Sequence, residues 1–231
     1  MMSVLLSDGV RRLRLSASRG RVDEEGLAEL WLGWNNPQWC ATIEMLNMVA
    51  AFATRQSART MLECGSGVST IVMGIIAEAR GSRVVALEAD RAWHGLMVNT
   101  LKRLRIRSVE MRYAPLVHGE SSDWYDASAL DDIERVDLFI CDGPTGDTRG
   151  GRSGASSHVL PMLAPRAVIV IDDVHRAPEQ DLANRFGQVG ETSMSRWGRP
   201  DRQFAVIERI GAERPRRAPS LPARQVSPAY V

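Results

Sequence analysis

The chain has 231 residues, 44% of them hydrophobic and 25% charged, which suits one globular domain with extensions and excludes both wholesale disorder and two independent catalytic domains. The formal charge is only +1, but five arginines stand against one acid in residues 1–22 and four against one in 211–231, so the body between them is net acidic. An acidic body gives little support to nucleic-acid binding, the apolar runs are too short for a membrane helix, and Val4, Leu5 and Leu6 precede Arg11, Arg12 and Arg14 in the reverse of signal-peptide order, so a cytoplasmic protein with no membrane partner is expected.

Residues 1–22 read as an N-terminal extension in which Val10, Leu13 and Leu15 suit either a short strand or a helix. Thr42 is placed to cap a helix with Ile43, Leu46, Val49 and Ala53 on one face, and a first strand follows over 59–63. Residues 69–80 put Ile71, Val72, Ile75, Ile76 and Ala79 on a helical stripe that Gly81 ends; 83–88 is a second strand. Asp90 caps a helix lined by Trp93, Met97, Leu101 and Leu104, ending in the basic run Lys102, Arg103, Arg105 and Arg107 that complements the helix dipole. Strands are predicted over 109–115, 136–141 and 167–171, then a hairpin of 192–197 with 203–210 around Arg199, Pro200 and Asp201. Strands alternating with helices imply βαβ units and a parallel sheet, a single domain over 23–210, and a disordered Pro/Arg-rich tail over 211–231. Cys40, Cys64 and Cys141, with no Cys-x-x-Cys pair, read as reduced core thiols.

The segment Met61-Leu62-Glu63-Cys64-Gly65-Ser66-Gly67-Val68-Ser69-Thr70 runs from strand through a glycine turn into a helix, where backbone amides can approach a ligand closely. Glu88 ends the next strand, where an acid accepts both hydroxyls of a ribose. An adenosine ligand is therefore expected. Thr70 in place of a third glycine, and Glu63 two residues before Gly65, suit a ligand with an ammonium and a sulfonium better than a diphosphate.

In these residues the sequence resembles the class I S-adenosylmethionine-dependent methyltransferases, whose first motif is an acid followed by a Gly-x-Gly turn. It is most similar to a bacterial subgroup written around LE.GSG.ST, WYD, DGP and DD..R, seen here as 62–70, Trp124-Tyr125-Asp126, Asp142-Gly143-Pro144 and Asp172-Asp173-Val174-His175-Arg176. The resemblance implies a doubly wound, Rossmann-like α/β fold with seven strands in the order 3-2-1-4-5-7-6 and helices on both faces. It implies that Gly65, Gly67, Ser69 and Thr70 contact the methionine portion of S-adenosylmethionine, that Glu88 holds the ribose, that Ala114 and Pro115 lie near the adenine, and that Glu63, Ser66 and Asp142 belong to the same cofactor site.

Asp142 closes the fourth strand and Asp172 with Asp173 the fifth, so the three acids are expected together at the carboxyl edge of the sheet, beside the methyl group. Converging carboxylates suit Mg²⁺ shared with an acceptor hydroxyl, as in catechol and macrocin-type O-methyltransferases. The alternative is that Asp142 orients cofactor or substrate directly while Asp172 and Asp173 cap the next helix or pair with Arg176. His175 is a candidate base and His118 a weaker one. Trp31, Trp34 and Trp39, and likewise Trp124 and Tyr125, suit either an acceptor surface or packing, and Arg149 to Arg152 either a mobile lid or a solvated loop.

The function expected is methyl transfer to a hydroxyl of a small-molecule or glycoside acceptor, with Asp142, Asp172 and His175 as the catalytic candidates. Two alternatives stand beside it: an NAD-dependent oxidoreductase using the same turn, and a non-catalytic S-adenosylmethionine-binding protein.

Overall fold

A computed structural model describes residues 4–34, 40–55 and 57–211; Trp39 and residues 212–231 of the expected tail lie outside them. The elements run in the order α1 (Val4–Ala17), α2 (Glu24–Trp34), α3 (Ile43–Ala53), β1 (Thr60–Cys64), α4 (Val68–Arg80), β2 (Arg83–Glu88), α5 (Arg91–Arg103), β3 (Val109–Tyr113), β4 (Leu116–His118) and β5 (Asp123–Tyr125). There follow β6 (Val136–Cys141), α6 (Ala155–His158), β7 (Leu163–Ile171), α7 (Ala177–Gly187), β8 (Thr192–Arg199) and β9 (Arg202–Arg209). Thr42 and Asp90 cap as expected, their side chains accepting from the backbone N–H of Met45 and Trp93.

Seven strands form one sheet in the order β3-β2-β1-β6-β7-β9-β8, with β9 antiparallel to both its neighbours. Numbered within the sheet alone, this is 3-2-1-4-5-7-6. The short exposed β4 pairs with β5 in a separate antiparallel ribbon that sequence periodicity did not reveal, because strands of three residues show no alternation to read. β7 starts at Leu163, four residues before the expected start, running through Pro165 where the register with β6 shifts between Val136 and Leu138. A proline is tolerated there because an irregular pairing loses no regular ladder bond to the missing N–H.

Strands β1, β2 and β6 are buried along nearly their whole length, as a parallel sheet covered on both faces requires. Alternate side chains divide between two cores. Met61, Val84, Leu138, Ile140, Val170 and Phe204 pack under α1 to α5. Leu62, Val85, Leu87, Phe139, Ile169 and Ile207 pack under α7, the β4–β5 ribbon and the 155–164 segment. Cys40, Cys64 and Cys141 are buried and free, and burial raises the Cys40 thiol to about 11 and the Cys141 thiol to about 12.

The segment that read as strand or helix is helical, and its buried Leu6, Val10, Leu13 and Ala17 belong to the first core, while Leu15 points outward. It forms a hairpin with α2 whose turn contains the expected 22/23 boundary, and Arg12 ties the two helices through Asp23, Glu25 and Glu29. The helices approach through glycine: a Cβ on Gly9 would press on the backbone of Leu30, and one on Gly33 on the backbone of Leu6. Gly33→Ala is expected to cost about 1–3 kcal/mol by overpacking. Gly95→Ala in α5, where nothing lies within 4 Å of the added methyl, should gain roughly 0.5–1 kcal/mol from helix propensity. Denaturant midpoints of the two variants moving in the same direction would contradict this packing.

Candidate functional site

The parallel registers set Cys64 beside Leu87 and Cys141, and Cys141 beside Ile171. The next residue of each strand falls in one row along the carboxyl edge: Glu88, Gly65, Asp142 and Asp172. Bonds from Gly65 N to Leu87 O (3.1 Å), Asp142 N to Cys64 O (2.9 Å) and Asp172 N to Cys141 O (3.0 Å) carry the ladder up to this row. It is the place where an open α/β sheet offers a ligand site.

Gly65 turns the chain with φ +87°, and a Cβ there would lie 2.7 Å from Gly143 N and 2.8 Å from Asp142 C, so only glycine lets the β1–α4 turn rest on the backbone after β6. At Gly67 the reverse holds: nothing lies within 4 Å of where a Cβ would point, leaving the turn open on that side. Glu88 Oε2 accepts from Ser66 N (3.2 Å) and Ser66 Oγ (2.7 Å), and Oε1 accepts from Asp90 N (3.0 Å). Trp93 Nε1 donates to Ser66 O at 2.8 Å, so α5 braces the turn. Trp34 meets Trp93 edge-on at 6.2 Å, which brings α2 to the same place.

Glu63 is fully buried, with its carboxylate accepting from Ser69 Oγ at 2.5 Å and from Thr70 Oγ1, which in turn accepts from Gly67 N at 2.9 Å. The Glu63, Ser69 and Thr70 side chains thus face one another beneath the turn. What the start of α4 can offer a ligand is its first-turn N–H groups, which have no intrahelical partner.

Asp142, Asp172 and Asp173 converge as expected, with one oxygen of each within 4.8 Å of the others. Asp173 reaches the cluster through a left-handed backbone, φ +62°, and its N–H donates to Asp172 Oδ1 at 2.8 Å. Burial and then the charge of Asp172 push Asp142 well above the usual carboxylate range, against the pull of Arg152; burial and then Asp173 push Asp172 up.

Sequence reasoning placed Arg152 on a lid or solvated loop, whereas the structure buries it inside this cluster with its side chain 3% exposed. Arg152 Nη2 contacts Asp142 Oδ1 (3.2 Å) and Asp173 Oδ2 (2.8 Å), Nη1 donates to Asp172 O (2.8 Å) and Cys141 O (3.2 Å), and Nε donates to Pro144 O (3.3 Å). Burial works against the guanidinium charge, but Asp142, Cys141, Asp173 and Asp172 outweigh it and the group stays protonated. The sequence signal was Gly150-Gly151 just before it: both have positive φ, and a Cβ on Gly151 would lie 2.8 Å from the buried Glu179 Oε1, a tight turn that sends the next side chain inward. As arranged, the acids do not fit a divalent cation. Mg²⁺ bonds oxygen at roughly 2.1 Å, and a guanidinium nitrogen already stands against two of the three carboxylates.

The remaining candidates lie around the row. Ala114 is buried with its N–H on Glu88 O (2.8 Å), and Pro115 is exposed beside it. His175 is exposed, with Nδ1 3.4 Å from Gln203 N. Asp173 also pairs with Arg176 at 3.2 Å. His118 sits on the exposed ribbon against Asp123, which also holds Arg149. Trp31 Nε1 donates to Ala41 O, and Trp124 is buried against Gly154 and stacked on His158, so both tryptophans pack. Tyr125 is buried, with its hydroxyl against Gly143.

Burial, partly offset by Ser69 and Thr70, raises Glu63 from 4.5 to about 7. The folded chain then holds a proton that the unfolded chain releases between those values, so the contribution of Glu63 to stability falls as pH rises through that window. Glu63→Gln removes the titration. Relative to wild type, its stability is expected to rise from about pH 4.5 to about pH 7, by roughly 3 kcal/mol at about 1.4 kcal/mol per unit, and to level off above. Denaturant unfolding of both proteins across that range reads the difference, and a pH-independent offset would contradict a buried, neutral Glu63.

Residues 62–174, just under half the chain, match the family model described as a methyltransferase domain. A search of curated proteins finds no match. Among solved structures, the chain is similar to an O-methyltransferase from Bacillus cereus in complex with SAH, at 18% identity and TM-score 0.56, covering 80% of this chain and 89% of that one. It is similar to the O-methyltransferase TomG from Streptomyces achromogenes, in complex with SAM and involved in tomaymycin synthesis, at 16% identity and TM-score 0.56, covering 91% and 92%. A precorrin-6y C5,15-methyltransferase from Geobacter metallireducens matches at 16% identity and TM-score 0.51, covering 75% and 91%. These likenesses establish the fold, and the residues from Glu63 to Asp173 that build the candidate site lie within the segment matched by that family model.

Proposed function

We propose that the protein is an S-adenosylmethionine-dependent methyltransferase acting on a hydroxyl of a small-molecule acceptor, glycosides included. The observation that carries this reading is the turn over Gly65 and Gly67, open at Gly67, with Glu88 at one side and Asp142 at the other. The residues fit the cofactor. Among the described residues Glu88 Oε1 has a single donor, and a carboxylate oxygen takes two, so it retains capacity for a ribose hydroxyl. The first-turn N–H groups of α4, with Gly65, Ser66 and Gly67, line the methionine side; Glu63, Ser69 and Thr70 hold that turn in shape from beneath. Ala114 and Pro115 flank the adenine end next to Glu88.

Bound in this cradle, S-adenosylmethionine supplies an electrophilic methyl group on a sulfonium. Asp142, the most open acid of the cluster with its side chain 23% exposed, accepts the acceptor's hydroxyl proton as the oxygen forms its bond to carbon and the carbon–sulfur bond breaks. Asp172 lies buried behind it, and His175 on the rim is a second place for the proton. Most of the acceleration comes from alignment of acceptor oxygen and methyl carbon.

Calorimetric titration with S-adenosylmethionine and with NAD tests the cofactor. Micromolar binding of the first is expected, weakened about 10- to 100-fold by Glu88→Ala through loss of a charge-assisted hydrogen bond. Binding of NAD alone would overturn the reading. With a small-molecule extract as the acceptor source, products heavier by one methyl group are expected by mass spectrometry, and Asp142→Asn should slow their formation by about 100-fold or more. Turnover undiminished in that variant would remove Asp142 from the chemistry.

A further inference from the structure

We propose that Arg152 is the resident cation of the acid cluster: its guanidinium occupies the place of a divalent metal, so the wild-type site is built to work without one. The inference deepens the methyltransferase reading and rests on it for the role of the cluster, although the occupancy itself stands on geometry alone. A guanidinium has five N–H donors in a fixed fork. Arg152 finds five acceptors: two carboxylates, Asp142 and Asp173, and three backbone carbonyls, Cys141, Pro144 and Asp172. No donor is left over.

The carbonyls matter as much as the acids. Cys141 O and Asp172 O sit at the carboxyl ends of the adjacent strands β6 and β7, so the fork is seated by the sheet itself. A side chain drawn in merely by negative charge would stay at the solvent side of the carboxylates, whereas Arg152 is 3% exposed and Asp142 is 23% exposed, which puts the cation behind the acid. Asp173 is then shared, with Arg152 at 2.8 Å and the half-exposed Arg176 at 3.2 Å on the same Oδ2. Two fixed positive charges on one oxygen leave a divalent ion neither the room nor the field it needs.

Arg152 is on this account a positioning residue. It fixes the Asp142 and Asp173 carboxylates at the carboxyl edge, as a metal would, but offers no open coordination position to an acceptor oxygen. Lysine cannot replace it, having three donors and no fork.

The test needs neither cofactor nor acceptor, so its failure is distinct from that of the methyltransferase reading. Mn²⁺ binding is followed by the loss of its free electron-spin signal on titration with wild-type protein, Arg152→Ala, Arg152→Lys and Asp173→Asn. The wild type is expected to bind no stoichiometric Mn²⁺, and Arg152→Ala to gain one site at least tenfold tighter than any in wild type, with a melting temperature that rises on adding Mn²⁺. Stoichiometric binding by the wild type that Asp173→Asn abolishes would overturn the proposal, as would a folded Arg152→Ala that gains no site. Should Arg152→Ala not fold alone, refolding in Mn²⁺ supports the proposal, and failure to refold while Arg152→Lys stays folded and gains no metal-dependent stability overturns it.

Discussion

The site depends on one constraint, the parallel register of β2, β1, β6 and β7. Side chains of neighbouring parallel strands stand level, so fixing Cys64 beside Leu87 and Cys141, and Cys141 beside Ile171, fixes Glu88, Gly65, Asp142 and Asp172 in a row without further instruction. A one-residue slip of any strand would exchange the side chains it presents to the two cores, whose packing is fitted to the present set, and would move its last residue out of the row. Site geometry and core packing are here set by the same hydrogen bonds.

Placing acids level at the end of a sheet creates a problem of charge. Three carboxylates within 4.8 Å repel one another and lose solvation, and both Asp142 and Asp172 are pushed toward their protonated forms. The chain answers from within, by bringing Arg152 in through the Gly150-Gly151 turn. Glu63 is handled differently. It is buried among hydroxyls with no cation, and its pKa rises to about 7. Asp142 and Glu63 are thus both pushed toward neutrality by burial, but Asp142 has a cation pulling against that push and Glu63 has only hydroxyls.

The glycine turn shows why close approach and openness are both needed. Gly65 is pressed on the Asp142–Gly143 backbone, which holds the turn against β6, while Gly67 faces empty space. Trp93 and Ser66, joined through Glu88 and Asp90, lock the third side, so the turn is rigid on every side except the one a ligand would use. The α1–α2 hairpin, whose first helix sequence periodicity left between strand and helix, supports that arrangement through the Trp34–Trp93 contact.

Much of this was legible without coordinates. The caps at Thr42 and Asp90, the apolar stripe of α4 and the run of β-branched strands are local patterns, set by backbone hydrogen bonding and helix or strand period, and they led to a parallel sheet and to the acids at its carboxyl edge, while the strand order came from the family resemblance. Strand β7 was read short because Pro165 is a local break that only the irregular partner register excuses. Arg152 was read as part of a mobile lid or a solvated loop because nothing in a run of glycine and arginine tells where the fifth donor will find its acceptor. Its burial is decided by carbonyls of two other strands and acids 10 and 21 residues away. Sequence alone therefore determined where the seven sheet strands lie, the turn and the acid row, since those follow from short-range periodicity. Tertiary structure decided which charges meet there, because pairing of buried charges depends on distances between chain segments that no local pattern encodes.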